Sequence, residues 1–213
     1  MKAKGLLFDL DGVLVSTENN HFQAWSVIAD ELGIAFGMEQ NELIRGVSRS
    51  DSLKIICRLG DVALNENDFE RYLDIKNELY LASIQSLNRT DIFPGVMGLL
   101  ETASTKGLKL GVGSSSKNAE LILKKLSIDT FFDVIVDGNA VQNPKPDPEV
   151  FLKGAKAMGL EASNVIVFED AESGVLAAKS GGFHCIAVGN LTIKYIADEF
   201  IENLEVFNLA KYA

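Results

Sequence analysis

A chain of 213 residues is long enough for one large domain or for a core with an insert. Its 47% hydrophobic and 23% charged residues are the make-up of a globular protein. The formal net charge of -10 argues against nonspecific nucleic-acid binding, and any phosphate site has to be built locally from Lys, Arg, backbone amides or a metal.

Gly5-Leu6-Leu7-Phe8 is an apolar run without alternation, as expected of a strand buried on both faces of a parallel sheet. It leads into Asp9-Leu10-Asp11-Gly12. In an extended segment positions i and i+2 face the same way, so Asp9 and Asp11 are expected to project together from the strand's carboxyl end. Two close carboxylates repel unless a cation or a shared proton separates them. Taken alone, the stretch is equally readable as a surface turn.

Helical spacing follows. Ser16-Thr17 reads as a linker and helix cap, and Phe22, Trp25, Ile28, Ala29 and Leu32 recur on one face before Gly33. A second helix is predicted near 39–44. A third starts at Ser48, with Asp51 at the capping-box distance and Leu53, Ile56 and Leu59 on its apolar face. A fourth is predicted over 66–87. Residues 17–88 therefore read as all-helical.

From Ile92-Phe93-Pro94-Gly95 the pattern alternates. Helices are predicted over 95–105, 117–126, 148–158 and 172–180, and strands over 108–113, 134–136, 165–168 and 184–188. Such alternation implies right-handed βαβ units. The fold class expected is α/β, a Rossmann-like parallel-sheet core with an inserted α-helical cap. The core comprises 1–15 and 89–213 and the cap 16–88, lying over the strand ends.

Cys57 and Cys185 sit far apart in apolar runs, which reads as two buried free thiols in a reducing cytoplasm. No signal peptide precedes the first strand, and no apolar run reaches the ~18 residues of a membrane span. A cytoplasmic monomer with no membrane or nucleic-acid partner is expected.

The residues after each strand carry chemistry. After the first come Asp9 and Asp11. After 108–113 comes Ser114-Ser115-Ser116-Lys117-Asn118, where hydroxyls, amides and a helix start can hold an anion. After the third strand, Lys145 is flanked by Pro144 and Pro146. After the fourth come Glu169 and Asp170, oxygen ligands of the type Mg²⁺ prefers. Each alone has a plainer reading (a turn for Asp9 and Asp11, an N-cap for the serines, a solvated lysine for Lys145, helix-dipole charges for Glu169 and Asp170), but together they make a metal and phosphate site. His184, in an apolar strand, reads as structural.

With Phe8-Asp9-Leu10-Asp11-Gly12, the Ser114 region, Lys145 and Glu169-Asp170 in place, the chain resembles the haloacid dehalogenase superfamily of phosphotransferases along its whole length. Within it the chain looks most like the β-phosphoglucomutases. The narrower likeness rests on His21-Phe22-Gln23-Ala24-Trp25, Arg45-Gly46-Val47-Ser48-Arg49 with Asp51-Ser52-Leu53, Lys76-Asn77, and Ser114 to Asn118.

The resemblance implies roles. Asp9 becomes an aspartyl phosphate, and Asp11 is the general acid/base. Mg²⁺ is held by Asp9, the Asp11 carbonyl and Asp170, with Glu169 in or next to the shell. Ser114, beside Ser115, and Lys145 bind the transferring phosphoryl group. Arg49, with Ser116, Lys117 and Asn118, holds the other phosphate. His21, Trp25, Gly46, Val47, Ser48, Ser52 and Lys76 line the hinge and sugar side.

The implied activity interconverts β-D-glucose 1-phosphate and D-glucose 6-phosphate through a bisphosphate, on a small-molecule phosphosugar. A sugar-phosphate phosphatase with the same aspartates is the alternative, and a non-enzymatic phosphosugar-binding protein a remote one. Two positions depart from the pattern: Ser16 stands where many relatives have Asp, and Ser115 where Ala is common.

Overall fold

A computed structural model describes residues 2–212. Six strands form one sheet: β1 (Gly5–Phe8), β2 (Lys109–Gly113), β3 (Val134–Val136), β4 (Val165–Glu169), β5 (His184–Val188) and β6 (Glu199–Ile201). Their order is β3-β2-β1-β4-β5-β6, and every neighbouring pair is parallel. The chain thus leaves β1 toward one edge and returns to fill the other, which makes the carboxyl end of β1 a topological switch point, the crevice where open α/β sheets bind ligands.

The absence of alternation in β1 is explained by two-sided burial. Leu6 and Phe8 join a cluster with Leu110, Val112, Ile166 and Phe168, covered by α5 (Val96–Thr105) and α6 (Ala119–Leu126). Leu7 points into the opposite cluster, with Val167, Cys185 and Phe151, covered by α7 (Glu149–Ala157) and α8 (Glu172–Ser180). The Phe8 and Phe168 rings stack across the β1–β4 pair, 5.0 Å between centroids.

Between β1 and α5 lie α1 (Glu18–Glu31), α2 (Met38–Glu42), α3 (Arg49–Leu59) and α4 (Glu66–Ser83). Trp25, Ile28, Leu53, Ile56 and Tyr72 bury one another in a third apolar cluster. Caps behave mostly as their sequences suggest. Ser48 Oγ accepts from the Asp51 amide at 3.2 Å, and Asn65 Oδ1 from that of Asp68 at 2.9 Å. Thr17 differs: it precedes α1, but its side chain makes no cap bond, and its hydroxyl donates to Asp11 Oδ1.

The strand β6 is an addition that the sequence reading does not contain. The fourth helix also ends earlier than predicted, at Ser83, and passes into a 3-10 turn over Ile84–Ser86. Cys57 and Cys185 are both buried and free, and His184 opens the inner strand β5 with Nε2 3.3 Å from Glu199. Among the described residues no helix is long and apolar enough to cross a membrane.

Candidate active site

The carboxyl ends of β1, β2 and β4 and the segment carrying Lys145 converge. Asp9 follows β1 directly, and its amide donates to the Phe168 carbonyl at 2.9 Å, fixing it beside the end of β4. Lys145 Nζ donates to Asp9 Oδ1 and to Glu169 Oε1, each at 2.6 Å, and all three side chains are buried. The other oxygen of Glu169 accepts the amides of Asp170 (2.9 Å) and Ala171 (3.0 Å). Both Glu169 oxygens are thus engaged, so its carboxylate acts as the frame of the site.

Asp170 Oδ2 accepts Arg45 Nη2 at 2.6 Å, and its carbonyl accepts Asn190 Nδ2 at 3.0 Å. Gly12 makes this approach possible. Its φ is +89°, and a β-carbon there would stand 1.9 Å from Asp170 Oδ2.

The electrostatics follow from burial. Desolvation pushes the Asp9 carboxyl well above the ordinary range, and Glu169, Asp170 and Asp11 push the same way against Lys145. Asp170 is pushed up to about 7 by burial and then by Glu169, with Arg45 opposing. Burial also raises Asp11, while the Thr17 hydroxyl bond works against it. For Lys145 burial acts to lower the pKa, but the Asp9 and Glu169 carboxylates outweigh it and hold the ammonium above its usual range.

Asp9, Glu169 and Asp170 each offer a carboxylate oxygen within 4.8 Å of the others. Three hard oxygen donors, buried and already facing cationic side chains, fit a hard divalent cation such as Mg²⁺.

A cavity of about 100 Å³ joins these groups to the helices above. Asp9, Asp11 and Asp170 form its floor, with Ser114, Ser115, Ser116, Lys117 and Asn118 on one side; His21, Trp25, Gly46, Val47, Arg49, Ser52 and Lys76 also line it. Three expected residues do not. Lys145 and Ser48 line an adjoining cavity that shares Arg49, Ser114, Ser115 and Lys117 with this one, Glu169 is fully buried, and the Ser48 hydroxyl donates to Asp51 Oδ2 at 2.7 Å.

The loop after β2 is organised by its own serines: Ser114 Oγ accepts the Ser116 amide and Ser116 Oγ that of Asn118. Ser115 Oγ donates to the Gly46 carbonyl at 3.0 Å, and Asn118 Nδ2 to Asn77 Oδ1 at 3.0 Å, tying sheet loops to helices.

On the helical side, Lys76 Nζ sits 2.8 Å from His21 Nδ1, 4.6 Å from the Tyr80 ring centroid and 5.1 Å from that of Trp25. Burial first, then the Arg49 charge, lowers Lys76 to about 7. His21 is driven well below its usual value by burial, then by Lys76 and Arg49. A protonated Lys76 requires His21 Nδ1 as acceptor, which leaves the Nε2 proton toward Asp11, with Nε2 4.0 Å from Oδ1. Among the described residues neither Arg49 nor Lys76 forms a salt bridge, whereas Arg45 forms three.

Arg45, Glu18, Asn41 and Tyr80 also line this cavity without a role readable from sequence, and Thr17, which reads as a helix cap, reaches the site through its bond to Asp11. The signal for Arg45 was its place beside Gly46; no motif marked Glu18, Asn41 or Tyr80.

The model of the haloacid dehalogenase-like hydrolases matches residues 6–188. The β-phosphoglucomutase of Bacillus subtilis is 37% identical over 188 residues, covering 87% of this chain and 83% of the relative. A phosphorylated carbohydrates phosphatase of Thermotoga maritima is 29% identical over 217 residues, covering 98% of each. The crystal structure of the Clostridium difficile β-phosphoglucomutase superposes with a TM-score of 0.95 at 33% identity, covering 98% of this chain and 95% of that one.

Proposed function

The chain belongs to the haloacid dehalogenase-like hydrolase family, and from that premise we propose that it is a phosphosugar mutase that interconverts β-D-glucose 1-phosphate and D-glucose 6-phosphate. The observation that carries this reading is the pair Arg49 and Lys76 lining one cleft from the helical wall, neither of them in a salt bridge within 4.0 Å among the described residues. A hydrolase needs one phosphate site, at Asp9. A mutase working through a bisphosphate needs a second, and an unpaired Arg and a desolvated Lys in one cleft are suited to it.

In this reading residues 16–88 act as a cap domain over the core of 1–15 and 89–213. An Asp9 oxygen attacks phosphorus of the bisphosphate, an acyl phosphate forms between Asp9 and phosphorus, and the bond from phosphorus to the sugar oxygen breaks. Asp11 gives its proton to that oxygen; burial raises its pKa and so favours the protonated form a donor needs. In the other direction a sugar hydroxyl gives its proton to Asp11 as its oxygen attacks the phosphorylated Asp9. Lys145 holds Asp9 in position and faces the transferring group with a positive charge. Arg49 and Lys76, with Ser116, Lys117 and Asn118, hold the second phosphate, and His21 and Trp25 shape the sugar side. Asp9 and Asp170 would hold Mg²⁺, which when bound supplies charge neutralisation for the phosphoryl oxygens; Glu169 would keep those ligands in place.

A second reading, a sugar-phosphate phosphatase with water as acceptor, is supported by the Thermotoga maritima relative, which matches over nearly the full chain. One assay separates the two. The protein is given β-glucose 1-phosphate, Mg²⁺ and trace glucose 1,6-bisphosphate, with the α anomer as control. Glucose 6-phosphate from the β anomer alone is expected, and Asp9→Asn abolishes it. Mostly inorganic phosphate would sink the mutase reading.

A further inference from the structure

Arg45 comes from the helical block, between α2 and α3, yet its guanidinium lies on a carboxylate of the sheet's acidic cluster. Nη2 is 2.6 Å from Asp170 Oδ2 and 3.7 Å from Glu18 Oε2, and Nη1 is 3.5 Å from Glu42 Oε1. The three carboxylates differ in kind. The Asp170 side chain is 7% exposed, whereas those of Glu18 and Glu42 are 36% and 53% exposed. The short contact is therefore to the buried group, and two longer, wetter ones stand ready beside it.

A second cavity, of about 200 Å³, lies on the far side of this ion pair, and Gly12, Glu18, Arg45, Asp170 and Glu202 line it. Arg45 and Asp170 border both this cavity and the sugar cleft. A water needs roughly 10–15 Å³ of such space, so the outer cavity can hold a hydrated cation. Its carboxylates, Glu18 and Glu202, give it the sign that draws one in.

We propose that Arg45 is a resident counterion of Asp170 that a divalent cation arriving from the outer cavity displaces, and that Glu18 and Glu42 receive the guanidinium. Two cations do not share one carboxylate oxygen at 2.6 Å, so occupation of Asp170 by a metal pushes Arg45 away. A guanidinium has five donors in a fixed fork, and it already spans all three acids, so the exchange needs a change of weight among existing partners. The adjoining Gly46 sits against Ala171 and Ser173 and accepts from Ser115. Metal occupancy is thereby transmitted to the segment that seats the helical block. By linkage, whatever the metal costs the Arg45 contact, Arg45 costs the metal. The inference rests on the metal site proposed above, and it holds whether the phosphoryl acceptor is a sugar or water.

The test is direct binding of Mn²⁺ to the full, substrate-free chain, by electron paramagnetic resonance or calorimetry. Arg45→Ala, and Arg45→Gln with a polar side chain in its place, are expected to bind Mn²⁺ roughly tenfold tighter, within the usual range of coupling between sites. Glu18→Gln is expected to weaken binding when Arg45 is present and to change it little in the Arg45→Ala background, because without Arg45 there is no guanidinium to receive. Unchanged or weaker binding by both Arg45 variants overturns the exchange. An equal effect of Glu18→Gln in the two backgrounds also overturns it, since Glu18 would then act only as a distant charge. If the unmodified chain binds no Mn²⁺, the metal site itself falls, and this inference with it.

Discussion

The Lys145 ammonium stands 2.6 Å from Asp9 Oδ1 with both side chains buried, and the same nitrogen is 2.6 Å from Glu169 Oε1. One cation therefore serves two carboxylates at the centre of the sheet's carboxyl edge. Removing it leaves two acids desolvated without a counter-charge. Breaking a buried pair from one side costs about 3–5 kcal/mol. Lys145→Met is expected to lower the free energy of urea unfolding by that order near neutral pH. The deficit should narrow on acidification, because protonation removes the uncompensated charges. The sign follows from Asp9, whose folded pKa is raised: its contribution to stability is present at low pH and is lost as pH rises through the folded value. A deficit independent of pH would show that packing, rather than charge, is what Lys145 supplies.

Arg49 is assigned to the second phosphate because it lines the cleft and forms no salt bridge among the described residues, Asp74 acting on it only from farther away. A charge-assisted hydrogen bond is worth about 1.5–3 kcal/mol, so Arg49→Ala should cost roughly 10- to 100-fold in kcat/KM for the mutase reaction. Hydrolysis of a small phosphoester with no second anionic group should change far less. Equal losses on the two substrates would remove Arg49 from the second phosphate.

Gly46 has a φ of +70°, and a β-carbon there would stand 2.6 Å from Ala171 Cβ and 2.7 Å from Ser173 Oγ. Left-handed backbone costs a non-glycine residue roughly 1–2 kcal/mol, and the two contacts forbid the present seating of the 44–47 segment on α8. Gly46→Ala should therefore hold the helical block off the sheet and let water compete for phosphorylated Asp9. The expected readout is a larger share of inorganic phosphate relative to glucose 6-phosphate. An unchanged product ratio would mean that the seating of this segment does not exclude water.

What was legible from sequence follows from which residues act locally. β5 falls on its predicted span because two-sided burial leaves an apolar run that turn residues bracket, and β3 and α8 fall on theirs as well. β6 was not legible. Its three residues, Glu199-Phe200-Ile201, are half-buried at the edge and take their strand character from pairing with β5. At the site, Asp9, Asp11, Lys145 and Asp170 stand at strand ends, where a single sequence can flag them. The role of Arg45 depends on a contact across 125 positions, and that of Thr17 on a hydroxyl turned from its helix toward Asp11. Neither pattern has a local signature. Ser48 is the local case: the capping-box spacing to Asp51 marks it in the sequence as the start of α3, and its hydroxyl makes that cap.

Lys76 gives the sharpest dependence on pH. It is buried against Trp25 and Tyr80, and burial followed by the Arg49 charge takes it from 10.5 down to about 7. The unfolded chain keeps that proton up to about 10.5, so between pH 7 and 10.5 the unfolded state binds more protons than the folded one. The Lys76 contribution to stability accordingly rises with pH through this window and is lost as pH falls toward 7. The unmodified ligand-free chain should gain stability relative to Lys76→Met across that range. An anion in the cleft reverses the balance by favouring the ammonium. At pH 8 a sugar phosphate is already a dianion, and His21, held well below its usual pKa, is neutral. Proton uptake on binding at that pH is then assigned to Lys76. Calorimetry of sugar-phosphate binding in buffers of different ionisation enthalpy should show uptake approaching one proton, and Lys76→Met should abolish it. Uptake that persists in the variant, or none in the unmodified chain, would place the second phosphate away from Lys76.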